Sequence, residues 1–226
     1  MNILSIRTLL FLIYLLVFLP LMAFRSRNKI IPASEEVDAQ YSSLKAIWFW
    51  TLFNHGMLFL LAWLASQEVS FKPFSMPAID LIDGLYAVAA LSVCVAISSL
   101  VRSSQSARET AKEAITHWLL PRSMSEAALK SLTVLTASVV EEVAYRGVGY
   151  YIIWQLFGNP WLAAVVCSIA FGLAHWVQGW KNVVGIIAIG AVLQGLVVAT
   201  NTLFLAIAVH VLFDIVAIIQ AKREAR

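Results

Sequence analysis

The side chains able to do chemistry are few, and they recur at one spacing. Glu142 and Arg146, Phe171 and His175, and His210 and Asp214 each stand four residues apart. At 3.6 residues per turn, that spacing puts each pair on one face of a helix. A Glu beside a His in a wet pocket can activate water: the carboxylate takes the proton, and the imidazole orients the water or shares the proton. A second group must then stabilise the oxyanion formed at an attacked carbonyl. His210 can donate a hydrogen bond to it, and Asp214 can hold the tautomer of His210. Glu142 and Arg146 read as a supporting ion pair. Glu141 and Glu142 point about 100° apart, so only one of them aims straight at a given neighbour.

These groups sit in apolar surroundings. Glu141, Glu142 and Arg146 interrupt a run, Leu132 to Phe157, that otherwise reads as membrane. A charge at bilayer depth costs roughly 2.5–3.5 kcal/mol on insertion scales, so all three must face the protein interior and find partners there. The partners on offer are His175 on the next apolar segment and His210 and Asp214 on the last. A short break, Gly158-Asn159-Pro160, joins the fourth and fifth segments. Glu141 lies 17 residues before position 158 and His175 lies 17 after it. In an antiparallel hairpin folded at that break, the two stand at the same depth.

The elements that position them follow from composition and hydropathy. The chain has 226 residues, 61% hydrophobic and 13% charged, against about 45–50% apolar in a soluble domain. The expected fold is all-α: a polytopic transmembrane bundle of about seven spans, each needing about 20 residues. The expected spans are Ile3 to Phe24, Ala46 to Ser66, Asp80 to Val101, Ser125 to Phe157, Pro160 to Val177, Val183 to Ala199 and Thr202 to Gln220. Pro20 is expected to kink the end of the first. The fourth is too long for a ~30 Å hydrocarbon core, and Gly147 and Gly149 suggest a bend there. Gly185, Gly190, Ala191 and Gly195 offer the sixth small surfaces for close packing. Trp48, Trp50 and Trp63 suit the aromatic belts of the second, and Asp80 and Asp83 sit at the mouth of the third. His55, alone in the second span after Asn54, reads as a packing residue rather than a catalyst. Cys94 and Cys167 lie in apolar segments and read as small core residues, not as a disulfide or a metal framework. The connector from Arg102 to Met124 has helical character over Ala107 to Leu120, as a surface or solvated helix.

Loop charge gives an orientation. Arg25 to Lys45 and Arg102 to Met124 carry four Lys/Arg each, and Gln67 to Ala78 carries one. Alternation through those loops puts the N-terminus outside, the C-terminus in the cytoplasm, and the polar cluster open toward the cytoplasm. The location expected is a bacterial plasma (inner) membrane. No basic stripe interleaved with exposed aromatics and no zinc-finger spacing points to nucleic acid.

The motifs, taken in order, resemble those of the CPBP family, the CAAX proteases and bacteriocin-processing enzymes also called Abi. Its pattern of EExxxR, FxxxH and HxxxN or HxxxD stands here as Glu141-Glu142-x-x-x-Arg146, Phe171-x-x-x-His175 and His210-x-x-x-Asp214. The resemblance covers roughly residues 125–219. It divides the chain into a membrane-spanning region, 1–124, with three spans and a cytoplasmic connector, and a four-helix protease core, 125–220. It implies an intramembrane endopeptidase, of glutamic or metallo type, acting on a membrane-associated, prenylated or leader peptide. Glu141 and His175 would activate the water, and His210 would donate to the oxyanion. Asp214 stands where the prenyl-processing branch has Asn; an ionised Asp has no proton to donate, so it must be protonated or only orient His210. Glu142, Arg146 and Phe171 would support the site. No cofactor is expected. The older metalloprotease reading of the family keeps zinc as an alternative, with Glu141, His175 and His210 as ligands, although no HExxH is present. The partners implied are the lipid bilayer and a peptide or protein substrate. Two other readings stay open: a non-catalytic immunity or partner-binding membrane protein of the same fold, and an ion or proton transporter, for which no inverted repeat is visible.

Overall fold

The computed structural model describes residues 4–30, 41–72, 78–104 and 123–224. Within them the chain forms helices and no strand. We number seven. α1 runs Ile6–Ile13, passes through a π-helical turn at Tyr14–Phe18 and continues as Leu19–Ile30. α2 is Tyr41–Glu68 and α3 is Leu81–Ser103. α4 joins Met124–Glu141, a π-helical stretch at Glu142–Gly149 and Tyr150–Phe157. α5 is Pro160–Ala174, α6 is Trp180–Thr200 and α7 is Leu203–Glu224. The connector helix expected over 107–120 falls outside the described residues, as do positions 31–40 of the first polar loop and the last residue of the basic tail.

The helix ends obey local chemistry. Asp80 and Asp83 form a reciprocal capping box at the start of α3, which satisfies two backbone donors that a helix start leaves orphaned. Gly158, at φ +67°, closes α4 in the left-handed conformation that glycine adopts without a Cβ penalty. Asn159 then caps α5 through the N–H groups of Trp161 and Leu162, with Pro160 in the first turn. The turn expected at 158–160 is therefore built from a stop signal followed at once by a start signal. α5 ends one residue short of His175, which is its C-cap, and a single 3₁₀ turn follows at Trp176–Gln178.

Among the described residues, five helical segments are long and apolar enough to cross a membrane: Ile6–Arg27, Ile47–Glu68, Leu81–Ser103, Trp180–Thr200 and Leu203–Gln220. Pro160–Ala174 is a shorter apolar helix. α4 carries Glu126, Lys130, Glu141, Glu142 and Arg146 and is not among the five. The outside of the bundle is apolar: Leu10, Phe53, Leu60, Leu85, Val88, Val165, Val198 and Leu212 are all exposed. An apolar surface on this scale is stable only against hydrocarbon. The chain is a multi-pass helical membrane protein.

α4 is the axis of the largest core cluster. Val140, Val143, Ala144, Tyr145, Val148 and Ile152 pack there with Phe11 and Leu15 of α1, Leu58, Ala62 and Ala65 of α2, and Phe171 of α5. Its middle is π-helical rather than simply bent. Gly149 makes that possible: a Cβ at this position would stand 2.6 Å from the Ala144 carbonyl oxygen, the acceptor five residues back. π-helical turns of this kind cluster at functional sites.

Three sequence expectations are corrected. Trp48 is not in an outer belt but turns inward toward Lys130, whose ammonium lies 5.9 Å from the ring, whereas Trp50 and Trp63 do face outward. Of the small residues on α6, Gly185 and Gly190 are at close helix contacts, but Gly195 has nothing within 4 Å of where a Cβ would be, and Ala191 is exposed. α1 runs on to Ile30, beyond its expected end at Phe24.

Candidate active site

Glu141 and Glu142 stand at the junction where α4 passes from α-helical to π-helical geometry. The two carboxylates enter different surroundings. Glu142 is fully buried, and its Oε1 lies 3.1 Å from Arg146 Nη1 and 2.8 Å from His210 Nδ1. The guanidinium of Arg146 also stacks over the Phe171 ring at 4.0 Å from its centroid. The edge of that guanidinium meets Gly190 of α6, where an added Cβ would lie 3.3 Å from both Nη2 and the Phe171 ring. The pair Glu142–Arg146 is thus enclosed by α4, α5, α6 and α7.

Glu141 keeps about 12% of its side chain exposed and faces three imidazoles. His55 Nε2 is 3.1 Å from Oε1. His175 Nε2 is 4.0 Å from Oε1, and His210 Nε2 is 3.8 Å from Oε2. Three of the chain's four histidines therefore converge on one carboxylate. The tautomers follow from the opposite ring nitrogens. His55 Nδ1 lies 2.7 Å from the Thr51 carbonyl oxygen, and His175 Nδ1 lies 2.8 Å from the Phe171 carbonyl oxygen. A carbonyl only accepts, so both Nδ1 atoms carry hydrogen and donate. His210 Nδ1 donates to Glu142. Every Nε2 that faces Glu141 is the nitrogen left over for proton exchange.

The four expected catalytic residues are brought together, with two departures from the expected roles. Asp214 does not hold the His210 tautomer. Its Oδ2 is 3.8 Å from Nε2, the wrong nitrogen, and 3.2 Å from the Ser138 hydroxyl. Glu142 holds that tautomer instead, because α7 presents Nδ1 toward the buried side of α4. His210 also has no second hydrogen while neutral; it can donate from Nε2 only as an imidazolium, with Glu142 as its counterion. Sequence reasoning also set His55 aside. The signal that would have found it is that any ionisable group inside a span is costly unless it faces a partner, and His55 is the one such group between positions 46 and 66.

Cys94 and Cys167 are free and buried, as expected of core residues. Among the described residues, no group of three or more His, Cys, Asp or Glu side chains is placed to hold a metal ion.

A shallow, open apolar depression lies on the surface between α2 and α4, lined by Phe59, Leu135, Thr136, Val139 and Val140. Val140 precedes Glu141, and Phe59 is one helical turn beyond His55.

Residues 124–216 match the family model described as Rce1-like, type II CAAX prenyl endopeptidase. The segment is a CAAX-protease (CPBP) family domain. No curated protein and no solved structure matches the chain. The family's motifs supply α4, α5 and α7 with the groups around Glu141, and the match supports a CAAX-type intramembrane endopeptidase. α1 to α3, with His55, lie outside the matched segment.

Proposed function

We propose that the protein hydrolyses a peptide bond next to a membrane-embedded anchor, with water activated by Glu141 and His175 and without a metal. The observation that carries this reading is the convergence of three Nε2 atoms on one partly exposed carboxylate inside an apolar bundle. A water about 2.8 Å from each partner spans the 4.0 Å gap between His175 Nε2 and Glu141 Oε1 with an angle of roughly 90° at its oxygen. There it loses a proton to the carboxylate while His175 orients it. His210, as the imidazolium paired with Glu142, donates from Nε2 to the oxyanion. Collapse of the tetrahedral intermediate breaks the C–N bond, and the proton held on Glu141 passes to the departing amine. Asp214 sits at the edge of this group and affects it through charge.

The apolar surface of Phe59, Leu135 and Val139 between α2 and α4 offers an apolar chain, as in a prenylated peptide, a place to lie. The C-terminus is cytoplasmic in this reading, the site opens to the cytoplasm, and the membrane is a bacterial inner membrane. The test uses purified protein in nanodiscs and a fluorogenic peptide with a farnesylated cysteine followed by three residues. Wild type cleaves it, keeps its rate in chelator and holds no stoichiometric zinc. About one zinc per chain, lost together with activity on chelation, would establish the metal version instead. No cleavage of farnesylated or leader-type peptides would favour a non-catalytic protein.

A further inference from the structure

Among the described residues His55 makes the shortest side-chain contact with the Glu141 carboxylate, and nothing in the family match accounts for it, since residues 124–216 exclude it. Its Nδ1 must carry hydrogen, because the Thr51 carbonyl at 2.7 Å only accepts. Its Nε2 then meets Glu141 Oε1 at 3.1 Å. Without a further proton, two lone pairs would face each other at hydrogen-bond distance. One proton therefore occupies this contact, on the imidazole or on the carboxyl. The contacts of His175 and His210 with Glu141, at 4.0 and 3.8 Å, impose no such requirement. The position is also fixed from behind: the Tyr14 hydroxyl of α1 donates to Asn54 Oδ1 at 3.1 Å, and Asn54 Nδ2 donates to the Trp50 carbonyl at 2.9 Å.

We propose that His55 is a positioning residue for Glu141. It ties one lone pair of Oε1 through the shared proton, which fixes the carboxylate plane and leaves the remaining lone pairs toward His175 and His210. During the reaction water's proton goes to the carboxylate, its oxygen bonds to the carbonyl carbon, and the carbonyl π pair moves to oxygen. When the C–N bond breaks, the amine takes that proton back. The proton shared with His55 stays on its Nε2 throughout, so the carboxylate is free to take water's. This rests on the endopeptidase reading above, and it gives the N-terminal helices a part in the chemistry: α2 aims the base that α4 carries.

The experiment compares His55→Phe, which keeps a ring, with His55→Gln, which keeps a donor to Oε1, on the farnesylated peptide in nanodiscs. His55→Phe lowers kcat by about 10–100-fold, the scale of a misplaced reacting group, with KM changed less than about twofold. His55→Gln retains kcat within about threefold of wild type, because its amide can still tie Oε1. The reverse order, with Phe tolerated and Gln not, or a loss confined to KM, would overturn the proposal in favour of a packing role. A wild-type protein that cleaves nothing would instead overturn the endopeptidase reading and the role with it. A second readout needs no activity. In ¹⁵N-histidine-labelled protein, with the His55 signals identified by their loss in His55→Gln, Glu141→Gln shifts the Nε2 resonance and leaves Nδ1 in place. Unmoved His55 resonances would overturn the shared proton whatever the cleavage result.

Discussion

Two adjacent carboxylates on α4 live in opposite worlds. Glu142 is sealed, with Arg146 at 3.1 Å, His210 Nδ1 at 2.8 Å and no exposed surface. Glu141 opens onto three imidazoles through gaps of 3.1 to 4.0 Å and keeps some exposure. A rotation of about 100° along one helix separates them, and it divides the work. A charge that is paired and dry is held in one state and gives structure. A charge that is partly wet, surrounded by proton-exchanging nitrogens, is free to change state and gives chemistry. The π-helical start at Glu142 sits at this division, and the core around Tyr145 and Val148 holds it in place.

The comparison can be broken on its dry side first. Glu142→Gln leaves the Arg146 charge buried without its counterion and removes the acceptor of His210 Nδ1. Breaking one side of a buried pair costs roughly 3–5 kcal/mol, so yield and unfolding temperature should both fall. Glu142→Gln with Arg146→Gln should recover part of that stability, since no lone charge remains. Unfolding of Glu142→Gln at the wild-type temperature would mean that the sealed side carries no structural load.

A smaller effect is expected from the wall behind the guanidinium. Gly190→Val pushes side-chain atoms into Arg146 Nη2 and the Phe171 ring, both 3.3 Å from the would-be Cβ. Overpacking of this kind costs about 1–3 kcal/mol. Gly195→Val on the same helix meets open space and should lie within about 0.5 kcal/mol of wild type, as exposed substitutions do. Equal losses from both would show that the wall is not tight. The smallest effect is at the rim of the wet side. Asp214→Asn removes a charge 3.8 Å from His210 Nε2 without touching Glu141's nearest contact, and should change the cleavage rate less than about tenfold. A loss as deep as that of a missing base would place Asp214 inside the reaction.

Much of this was legible in the sequence because it depends on counting. Seven apolar runs anticipated the seven helices among the described residues, five of them long and apolar enough to cross a membrane, and the equal spacing of Glu141 and His175 about position 158 anticipated their 4.0 Å approach. The spacing of Glu142 and Arg146 anticipated their ion pair. What counting could not reach depends on how helices far apart in sequence rotate against each other. His55 comes from α2, 86 residues before Glu141, and no period within one helix relates them. The exchange of roles between Asp214 and Glu142 turns on which ring nitrogen of His210 faces α4. Gly147 and Gly149 suggested a bend, but a π turn rather than a kink depends on the neighbours that enclose it. Trp48 looked interfacial by type and position, and was drawn inward toward Lys130 on α4.

The measurement that tests the division most directly is cleavage by Glu141→Gln protein whose fold has been checked by thermal unfolding in the same nanodiscs. The amide keeps the shape but cannot take a proton from water. The account predicts an unfolding temperature within about 2 °C of wild type, which is under about 1 kcal/mol for a chain of this size. It also predicts a cleavage rate lowered by about 10²–10⁴-fold, the usual worth of a general base. Glu141→Gln that cleaves at the wild-type rate, beside Glu142→Gln that is stable but inactive, would show the two carboxylates assigned the wrong way round.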